Sequence, residues 1–361
     1  MAAAWLRINE EGVAPHAQGF ASCEKSAGGP AALFAIIENV PPADVPMRPL
    51  WIPILAAVFL LPACKRAPAH ARVDAAIGPL LPADSAALAG LRLDRLRGSP
   101  FWQRFVEPRR IPALRLFEER TGLDPRRDLW EIVWAWRGGS SVVFLRGKFG
   151  GLFGLEPRFD APGVLRRNYK GHYVFERDGS AVLFVQSGVA VAGRVRDVQA
   201  VIDARGRADA GPPEALIARV STLPACDFWL VAQSGAGLRD AAGATLPLRA
   251  GPVFDSLLTA QLHGLLSDAV SAEAAAEFGN EADARQVRGG LTAALELLKL
   301  RPPEPRHAWS EVARSALLRQ DGSAVRLSLQ VPLDTLAAIL EPLTASAPES
   351  PLPDSSSPRP R

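Results

Sequence analysis

Strand-like segments occur in pairs along this chain, and a short turn joins the members of each pair. The pairs span residues 132–149, 172–186, 257–278 and 316–331. Three of the turns contain glycine, at Gly138, Gly179 and Gly322, and glycine suits the tight turns of hairpins because it tolerates a positive φ. Strands joined by such turns run antiparallel. The chain is therefore predicted to build antiparallel sheet from hairpins, with a further strand at residues 86–93.

Segments with helical periodicity lie between the hairpins. Ser99 is a predicted N-cap with Pro100 at the first helical position, and Asn280 is predicted to cap the longest helix. The predicted helices span residues 100–106, 114–120, 195–205, 281–300 and 334–340. The longest helix carries a predicted buried stripe of Val287, Leu291, Leu295 and Leu298. Helices that cover one face of antiparallel sheet define an α+β fold.

The two halves of the chain show the same order of predicted elements. Each half leads from an apolar run through a hairpin, a helix, a second hairpin and a helix. The pentapeptide Asp-Gly-Ser-Ala-Val occurs in both halves, at residues 178–182 and 321–325. The sequence therefore predicts two tandem α+β pseudo-repeats, residues 78–210 and 211–344.

Residues 47–64, MRPLWIPILAAVFLLPAC, have the order of regions that is typical of a secretory signal. A positive charge at Arg48 precedes an apolar stretch, and small residues close the segment. As a helix, the apolar stretch at residues 50–61 spans only ~18 Å, which is less than the ~30 Å hydrocarbon core of a bilayer. It is therefore predicted to be an export signal. Because Met47 heads this signal, translation is expected to start there, and residues 1–46 are interpreted as a misassigned start.

The signal ends in the sequence LPAC at residues 61–64, which resembles the lipobox of bacterial lipoproteins, although Pro62 departs from the usual small or hydroxylated residue. The resemblance implies that Cys64 is lipidated and becomes the mature N-terminus. Two or more acyl chains would then attach the protein stably to a membrane. A second interpretation stays open, because residues 69–71 (AHA) fit an ordinary signal-peptidase site, and cleavage there would release a soluble periplasmic protein.

Two segments are predicted to flank the folded part. Residues 65–77 are polar and rich in alanine and proline, which predicts a linker between the anchor and the fold. Residues 345–361 are rich in proline and serine and have almost no apolar side chains. Such a composition cannot bury a core, so this tail is predicted to be disordered.

Several short motifs resemble a pattern in uncharacterised exported bacterial proteins, which are often lipoproteins from acidobacteria and their neighbours. The motifs are TGLDPRRDL at residues 121–129, LRGKF at 145–149, NYKG at 168–171 and VAG at 191–193. The resemblance implies export and supplies no catalytic residue.

Motifs for common catalytic and metal chemistry are missing from the sequence. There is no H-E-x-x-H or C-x-x-C pair and no G-x-S-x-G nucleophile elbow. A formal net charge of +3, spread along the chain, does not suggest a nucleic-acid binder. We therefore predict no cofactor, no metal and no nucleic-acid partner. Cys226 is predicted to be a half-buried small residue and not a nucleophile.

Two groups of side chains are candidates for ligand binding. Strand spacing places Trp130, Trp134 and Trp136 on one face, where they could form an aromatic shelf with Arg137, or equally a core face against a helix. The second group could line a polar pocket or form the solvated edge of a hairpin. It consists of Arg166, Arg167, Tyr169, His172 and Tyr173.

The sequence thus predicts a lipoprotein that faces the periplasm and has a non-catalytic binding or scaffolding role. Its expected partners are the membrane, through the lipid on Cys64, and an envelope protein or ligand that the sequence does not identify. Two alternatives stay open: an envelope hydrolase whose site is assembled from distant residues, and a periplasmic ligand-binding module. A hydrolase requires convergent polar groups with shifted pKa values in one deep pocket.

Overall fold

The computed structural model describes residues 70–108, 124–149, 163–186, 188–205, 207, 213–242, 255–300 and 308–345. Every described residue belongs to one unit of the chain, Pro68–Arg361. Several predictions therefore concern residues outside the described part. These are the start at Met47, the signal with Cys64, the helix at 114–120 and the tail from residue 346.

The described part contains twelve strands and nine α-helices. The strands are β1 (Ala87–Arg92), β2 (Leu129–Arg137), β3 (Ser140–Gly147), β4 (Leu165–Tyr169), β5 (His172–Arg177), β6 (Ser180–Gln186), β7 (Val189–Arg194), β8 (Phe228–Gln233), β9 (Leu257–Leu266), β10 (Ala269–Phe278), β11 (Leu317–Asp321) and β12 (Ala324–Pro332). The helices are α1 (Leu93–Leu96), α2 (Pro100–Phe105), α3 (Pro125–Asp128), α4 (Val195–Ala204), α5 (Glu214–Thr222), α6 (Ser234–Ala242), α7 (Glu281–Lys299), α8 (Ala308–Ser315) and α9 (Leu333–Ala345).

All twelve strands belong to one sheet, in the order β11-β12-β10-β9-β8-β1-β2-β3-β7-β6-β5-β4. Every neighbouring pair is antiparallel. The four predicted hairpins are confirmed as β2–β3, β5–β6, β9–β10 and β11–β12. Gly138, Gly179 and Gly322 adopt positive φ angles of 49°, 75° and 55°, which is the reason these turns use glycine. The predicted α+β class with an antiparallel sheet is confirmed.

The strand order bears on the predicted pseudo-repeat. Outward from the central β1–β8 pair, one side runs β1-β2-β3-β7-β6 and the other runs β8-β9-β10-β12-β11. A duplicated unit is compatible with this order, but the duplication itself stays a prediction. The two copies of the pentapeptide lead into β6 and β12, which hold different positions in the two series.

The larger core lies on one side of the sheet, which we call face A. Alternation along the strands brings Leu88, Val133 and Phe144 onto this face, and none of the three has exposed surface. Helices α4 and α5 cover them with Val198, Val201, Ile202, Leu216 and Val220. Helices α4 and α5 thus cover face A over the first half of the sheet and over β8.

The opposite side, face B, carries two further clusters. Helices α6 and α7 pack over β8 to β10 and β12, around Trp136, Leu230 and Phe278. Helices α1 and α2 cover face B of the first half, where Leu96 and Trp102 are buried. Helices therefore cover both faces of the sheet, whereas the sequence predicted helices on one face only, and α5, which belongs to the second half of the chain, lies on face A with α4.

The apolar stripe predicted for α7 is only partly confirmed. Ala284 is the buried residue of this helix, and Val287 packs against the face B cluster. The prediction is wrong for Leu291, which is exposed. Only the N-terminal part of α7 therefore contributes to the face B cluster.

Two predicted helix caps are confirmed, because their side chains satisfy amide groups that have no partner inside the helix. Ser99 Oγ accepts a hydrogen bond from the Trp102 amide at 3.1 Å. Asn280 Oδ1 accepts one from the Asp283 amide at 2.9 Å.

The folded part begins earlier than the predicted linker boundary at residue 77. The Ala71 amide donates to the Leu223 carbonyl at 3.0 Å, and the side chain of Ile77 is fully buried in the face A core. Among the described residues, no helix combines the length and apolar character that crossing a membrane requires.

Candidate functional site

An open recess lies on face A of the second half of the sheet, across β9, β10, β12 and β11, and we call it the sheet groove. Its volume is about 720 Å³. Its polar lining consists of Arg219, Thr259, Gln261, His263, Glu273, Glu277, Arg319, Arg326 and Ser328. Its apolar lining consists of Ala274, Ala275, Ala276, Leu317, Ala324 and Leu327.

Strand alternation and register build the groove. In β9, the side chains of Ala260 and Leu262 join the face B core, so Thr259, Gln261 and His263 face the other way. The register continues this face across the sheet, because Gln261 pairs with Ala275 and Ala275 pairs with Arg326. A small alanine lies between longer side chains, which leaves room for a ligand.

Two basic side chains lie together at the sheet edge, where Arg319 of β11 is directly opposite Arg326 of β12. Arg219 lines the groove from α5, the helix that packs on β8. Among the described residues, none of these three arginines forms an ion pair or a side-chain hydrogen bond. Their guanidinium groups are therefore available to an anion.

The acidic side chains of the groove lie on β10. Glu277 Oε2 accepts a hydrogen bond from Thr259 Oγ1 at 3.4 Å. Glu273 Oε2 lies 3.6 Å from His263 Nε2, while the buried Nδ1 of His263 has no hydrogen-bond partner. The groove therefore presents cations toward the sheet edge and carboxylates one strand further in.

A second recess, the edge cleft, lies where the β4–β5 hairpin meets α4. It has a volume of about 490 Å³ and is lined by Lys170, His172, Ile202, Asp203 and Arg205. Asp203 accepts hydrogen bonds from Lys170 Nζ at 2.6 Å and from Tyr169 at 3.1 Å. The hydrogen bond between Lys170 and Asp203 raises the pKa of the lysine and lowers the pKa of the aspartate. Both groups are thus held in their charged forms.

The second candidate group from the sequence, which runs from Arg166 to Tyr173, lies at this edge of the sheet, but its side chains do not share one site. His172 lines the edge cleft, and Tyr169 bonds to Asp203 beside it. Tyr173 instead stacks under the guanidinium of Arg166, 3.6 Å from the ring centre. The side chain of Arg167 forms an ion pair with Glu176 at 3.0 Å. Four of the five residues of β4 are exposed, as expected for a solvated edge.

The four candidate residues of the aromatic shelf do not lie in one recess. Trp136 is buried in the face B core and Trp134 packs against it. Trp130 is 38% exposed and lies beside Arg146, whose guanidinium is 5.1 Å from its ring centre. Arg137 alternates to face A, where it pairs with Asp197 at 3.5 Å and with Asp84 at 3.4 Å. A ligand-binding role for these residues stays a prediction, and they line neither recess described above.

Two buried groups carry strongly raised pKa values. Burial raises the pKa of Glu131 to about 7, and the nearby charge of Arg92 opposes this shift. Burial likewise raises the pKa of the Cys226 thiol to about 11, and this cysteine is fully buried instead of half-buried as predicted. Neither residue lines the sheet groove or the edge cleft.

Sequence reasoning missed both Glu131 and the sheet groove. Glu131 sits at a core position of β2, and its place in the alternation with Leu129 and Val133 was the available signal. The groove left a weaker signal in the polar alternation of β9. Within the part of the chain that the structure describes, no group of three or more potential metal ligands occurs.

The fold and the groove together define an α+β protein built on one antiparallel sheet with an open polar recess. No protein-family model and no curated protein sequence matches this chain. Among solved structures it is similar to crystal form III of TP0453, with 10% identity and a TM-score of 0.41 over 73% of this chain and 97% of that one. It is also similar to crystal form I of TP0453, with 11% identity and a TM-score of 0.38 over 73% and 96%.

Proposed function

We propose that this chain is an exported, lipid-anchored protein of the bacterial cell envelope that binds a ligand through the sheet groove without catalysing a reaction. The observation that carries the binding role is the sheet groove itself. A recess of about 720 Å³ is lined by three arginines that have no partner in the described part of the chain. Cavities of roughly this size accommodate small molecules.

The placement of the perturbed groups favours binding over catalysis. A general acid or base works best when its pKa lies near the working pH and its side chain reaches the substrate. Glu131 meets the first condition but lines neither recess. In the edge cleft, the pKa of Lys170 is raised and that of Asp203 is lowered, which moves both away from neutral pH.

The export signal and Cys64 support the location. A short apolar segment that follows a positive charge and ends in a lipobox-like sequence is the pattern of an exported lipoprotein. Attachment through acyl chains requires no membrane-spanning helix. A soluble periplasmic form would arise if cleavage occurred after residue 71 instead.

Metabolic labelling with a palmitate analogue tests the anchor. The native chain is expected to take up the label and to sediment with membranes, and Cys64→Ser is expected to lose both properties. Cys226→Ser is the matched control, because Cys226 is buried and its loss leaves the signal intact. Labelling that persists in Cys64→Ser, or an unlabelled native chain in the cytosol, would refute the proposed location.

Photocrosslinking in intact cells tests the binding role. A photoreactive residue at Gln261 lies in the sheet groove, whereas one at Arg288 lies on the exposed surface of α7. We expect an adduct of defined mass from position 261 that position 288 does not give. The same products from both positions would argue against a specific groove ligand.

A further inference from the structure

Two arginines lie side by side at the outer edge of the sheet groove. Arg319 and Arg326 are direct cross-strand partners in the β11–β12 hairpin. Like charges in this relationship destabilise a sheet. In the described residues no carboxylate forms an ion pair with either guanidinium, so only the more distant carboxylates of the neighbouring strand β10 offset their repulsion. A bound anion would compensate it.

We propose that the Arg319–Arg326 pair binds the phosphate group of a soluble, otherwise neutral, hydroxylated molecule. This inference rests on the binding role proposed for the sheet groove. Each guanidinium presents a planar fork of N–H donors that matches two oxygens of a phosphate. Two adjacent forks can engage the phosphate together, and Arg219 adds a third positive charge to the lining.

The acids of β10 limit what the rest of the ligand can be. Glu273 and Glu277 flank Ala275, and Ala275 is the direct partner of Arg326. A polyanion lying across the groove would meet both carboxylates and be repelled. A ligand with one phosphate and a neutral body avoids this repulsion.

The remaining lining suits hydroxyl groups. Gln261, Thr259 and Ser328 offer hydrogen-bond donors and acceptors. Carboxylates such as Glu273 accept hydrogen bonds from hydroxyls. The groove volume of about 720 Å³ exceeds what a phosphate ion alone needs, so a sugar-sized body fits beside the arginine pair.

Isothermal titration calorimetry of the full chain tests the site with three probes: inorganic phosphate, glucose 6-phosphate and glucose. We expect saturable binding of both phosphates, with glucose 6-phosphate the tighter, and much weaker binding of glucose. Arg319→Gln and Arg326→Gln should each weaken phosphate binding about tenfold or more, because a charge-assisted hydrogen bond is lost. Arg288→Gln is the matched control, because it removes an exposed arginine of α7, the helix that packs on face B, and should bind like the native chain.

The same variants report on folding. Because Arg319→Gln and Arg326→Gln remove the cross-strand repulsion, each should raise the Tm of the ligand-free protein while it weakens binding. A loss of binding with an unchanged or higher Tm therefore identifies a ligand contact and not a folding defect. In sedimentation with phosphatidylglycerol vesicles, the native chain and Arg326→Gln should bind the vesicles to the same extent. Stronger vesicle binding by the native chain would assign the arginine pair to a lipid headgroup.

The proposal is overturned if the native chain shows no saturable binding of either phosphate, or if both arginine variants bind them like Arg288→Gln. That result would not exclude the sheet groove as a binding site for a different ligand. A defined crosslinked adduct at position 261 would still support binding by an uncharged ligand, so the two proposals fail separately.

Discussion

Glu131 lies directly opposite Arg92 in the register of β1 and β2, yet its Oε1 has no hydrogen-bond partner. The guanidinium of Arg92 is turned to Asp94 instead, with hydrogen bonds of 3.0 and 2.8 Å. Glu131 is 2% exposed, so its negative charge is desolvated, and a hydrogen bond from the Asp74 backbone together with the charge of Arg92 offsets only part of that cost. This arrangement explains why burial raises the pKa of Glu131 to about 7.

Stability is expected to fall as the pH rises through the range set by Glu131. The folded state keeps the proton up to about pH 7, whereas the unfolded chain loses it near the reference value of 4.5. Between these values the folded state binds more protons, so the free energy of unfolding decreases with rising pH. Glu131→Gln should remove this dependence and stabilise the protein at pH 8 by an amount on the order of 3 kcal/mol at most.

Urea denaturation at pH 5 and pH 8 measures this effect. Glu107→Gln is the matched control, because Glu107 is exposed and forms no ion pair or side-chain hydrogen bond with the described residues, and it should retain the pH dependence of the native chain. An unchanged dependence in Glu131→Gln would show that Glu131 ionises normally.

Gly90 is required by the close approach of two neighbouring strands. Trp229 lies across from it on β8, and a Cβ added to Gly90 would overlap the buried indole ring. Gly90→Ala is therefore expected to cost about 1–3 kcal/mol through overpacking. Gly289→Ala is the contrasting change, because an added Cβ there meets open space, and it should stabilise α7 by about 0.5–1 kcal/mol. Thermal unfolding of the two variants should shift in opposite directions, and a similar shift in both would contradict the packing at Gly90.

Cys226 should be unreactive in the folded protein. It is 3% exposed, and burial raises the pKa of its thiol to about 11. At pH 8 only about one molecule in a thousand would then carry the thiolate that attacks alkylating reagents. Iodoacetamide should modify Cys226 in urea but not under native conditions, as read from the peptide that contains it. Equal modification under both conditions would place this thiol at the surface.

The hairpins could be predicted because turn chemistry is local, whereas the sheet order could not. Glycine at positions 138, 179 and 322 fixes which neighbouring segments pair. The pairing of β1 with β8 joins Leu88 to Val231, and no periodicity specifies a partner so distant in the chain. The buried stripe of α7 was predicted only in part for a related reason. The periodicity of the helix indicates an apolar face but does not show how much of that face packs on the sheet.

The candidate groove was partly accessible from the sequence. A two-residue turn at Gly322 and Ser323 sets Asp321 opposite Ala324, and counting back along the hairpin places Arg319 opposite Arg326. That pair could have been found. The arginine pair shares one groove with Gln261 and Arg219 only because of the order of β9, β10 and β12 and the placement of α5. The sequence pattern does not reveal that order or that placement.

The ion pair between Arg137 and Asp197 gives a last prediction, on a residue considered above for ligand binding. Asp197 is 4% exposed, its Oδ2 has no hydrogen-bond partner, and Arg137 Nη2 lies 3.5 Å from its Oδ1. Arg196 Nε also lies 3.9 Å from Asp197 Oδ1, but its side chain is 71% exposed, so removing Arg137 leaves the buried charge only weakly compensated. Arg137→Met should therefore lower the free energy of unfolding by up to about 3 kcal/mol.

A double-mutant cycle distinguishes this structural role of Arg137 from a ligand contact. Adding Asp197→Asn should restore part of the stability lost in Arg137→Met, because the unpaired charge is then removed, and the two changes should be non-additive by about 1 kcal/mol or more. Asp84→Asn is the control, since Asp84 pairs with the same arginine but is 67% exposed and should change stability by less than about 1 kcal/mol. Additive effects of Arg137→Met and Asp197→Asn would show that Arg137 does not neutralise the buried acid. Its guanidinium, held then only by the exposed Asp84, would be open to the ligand contact considered from the sequence.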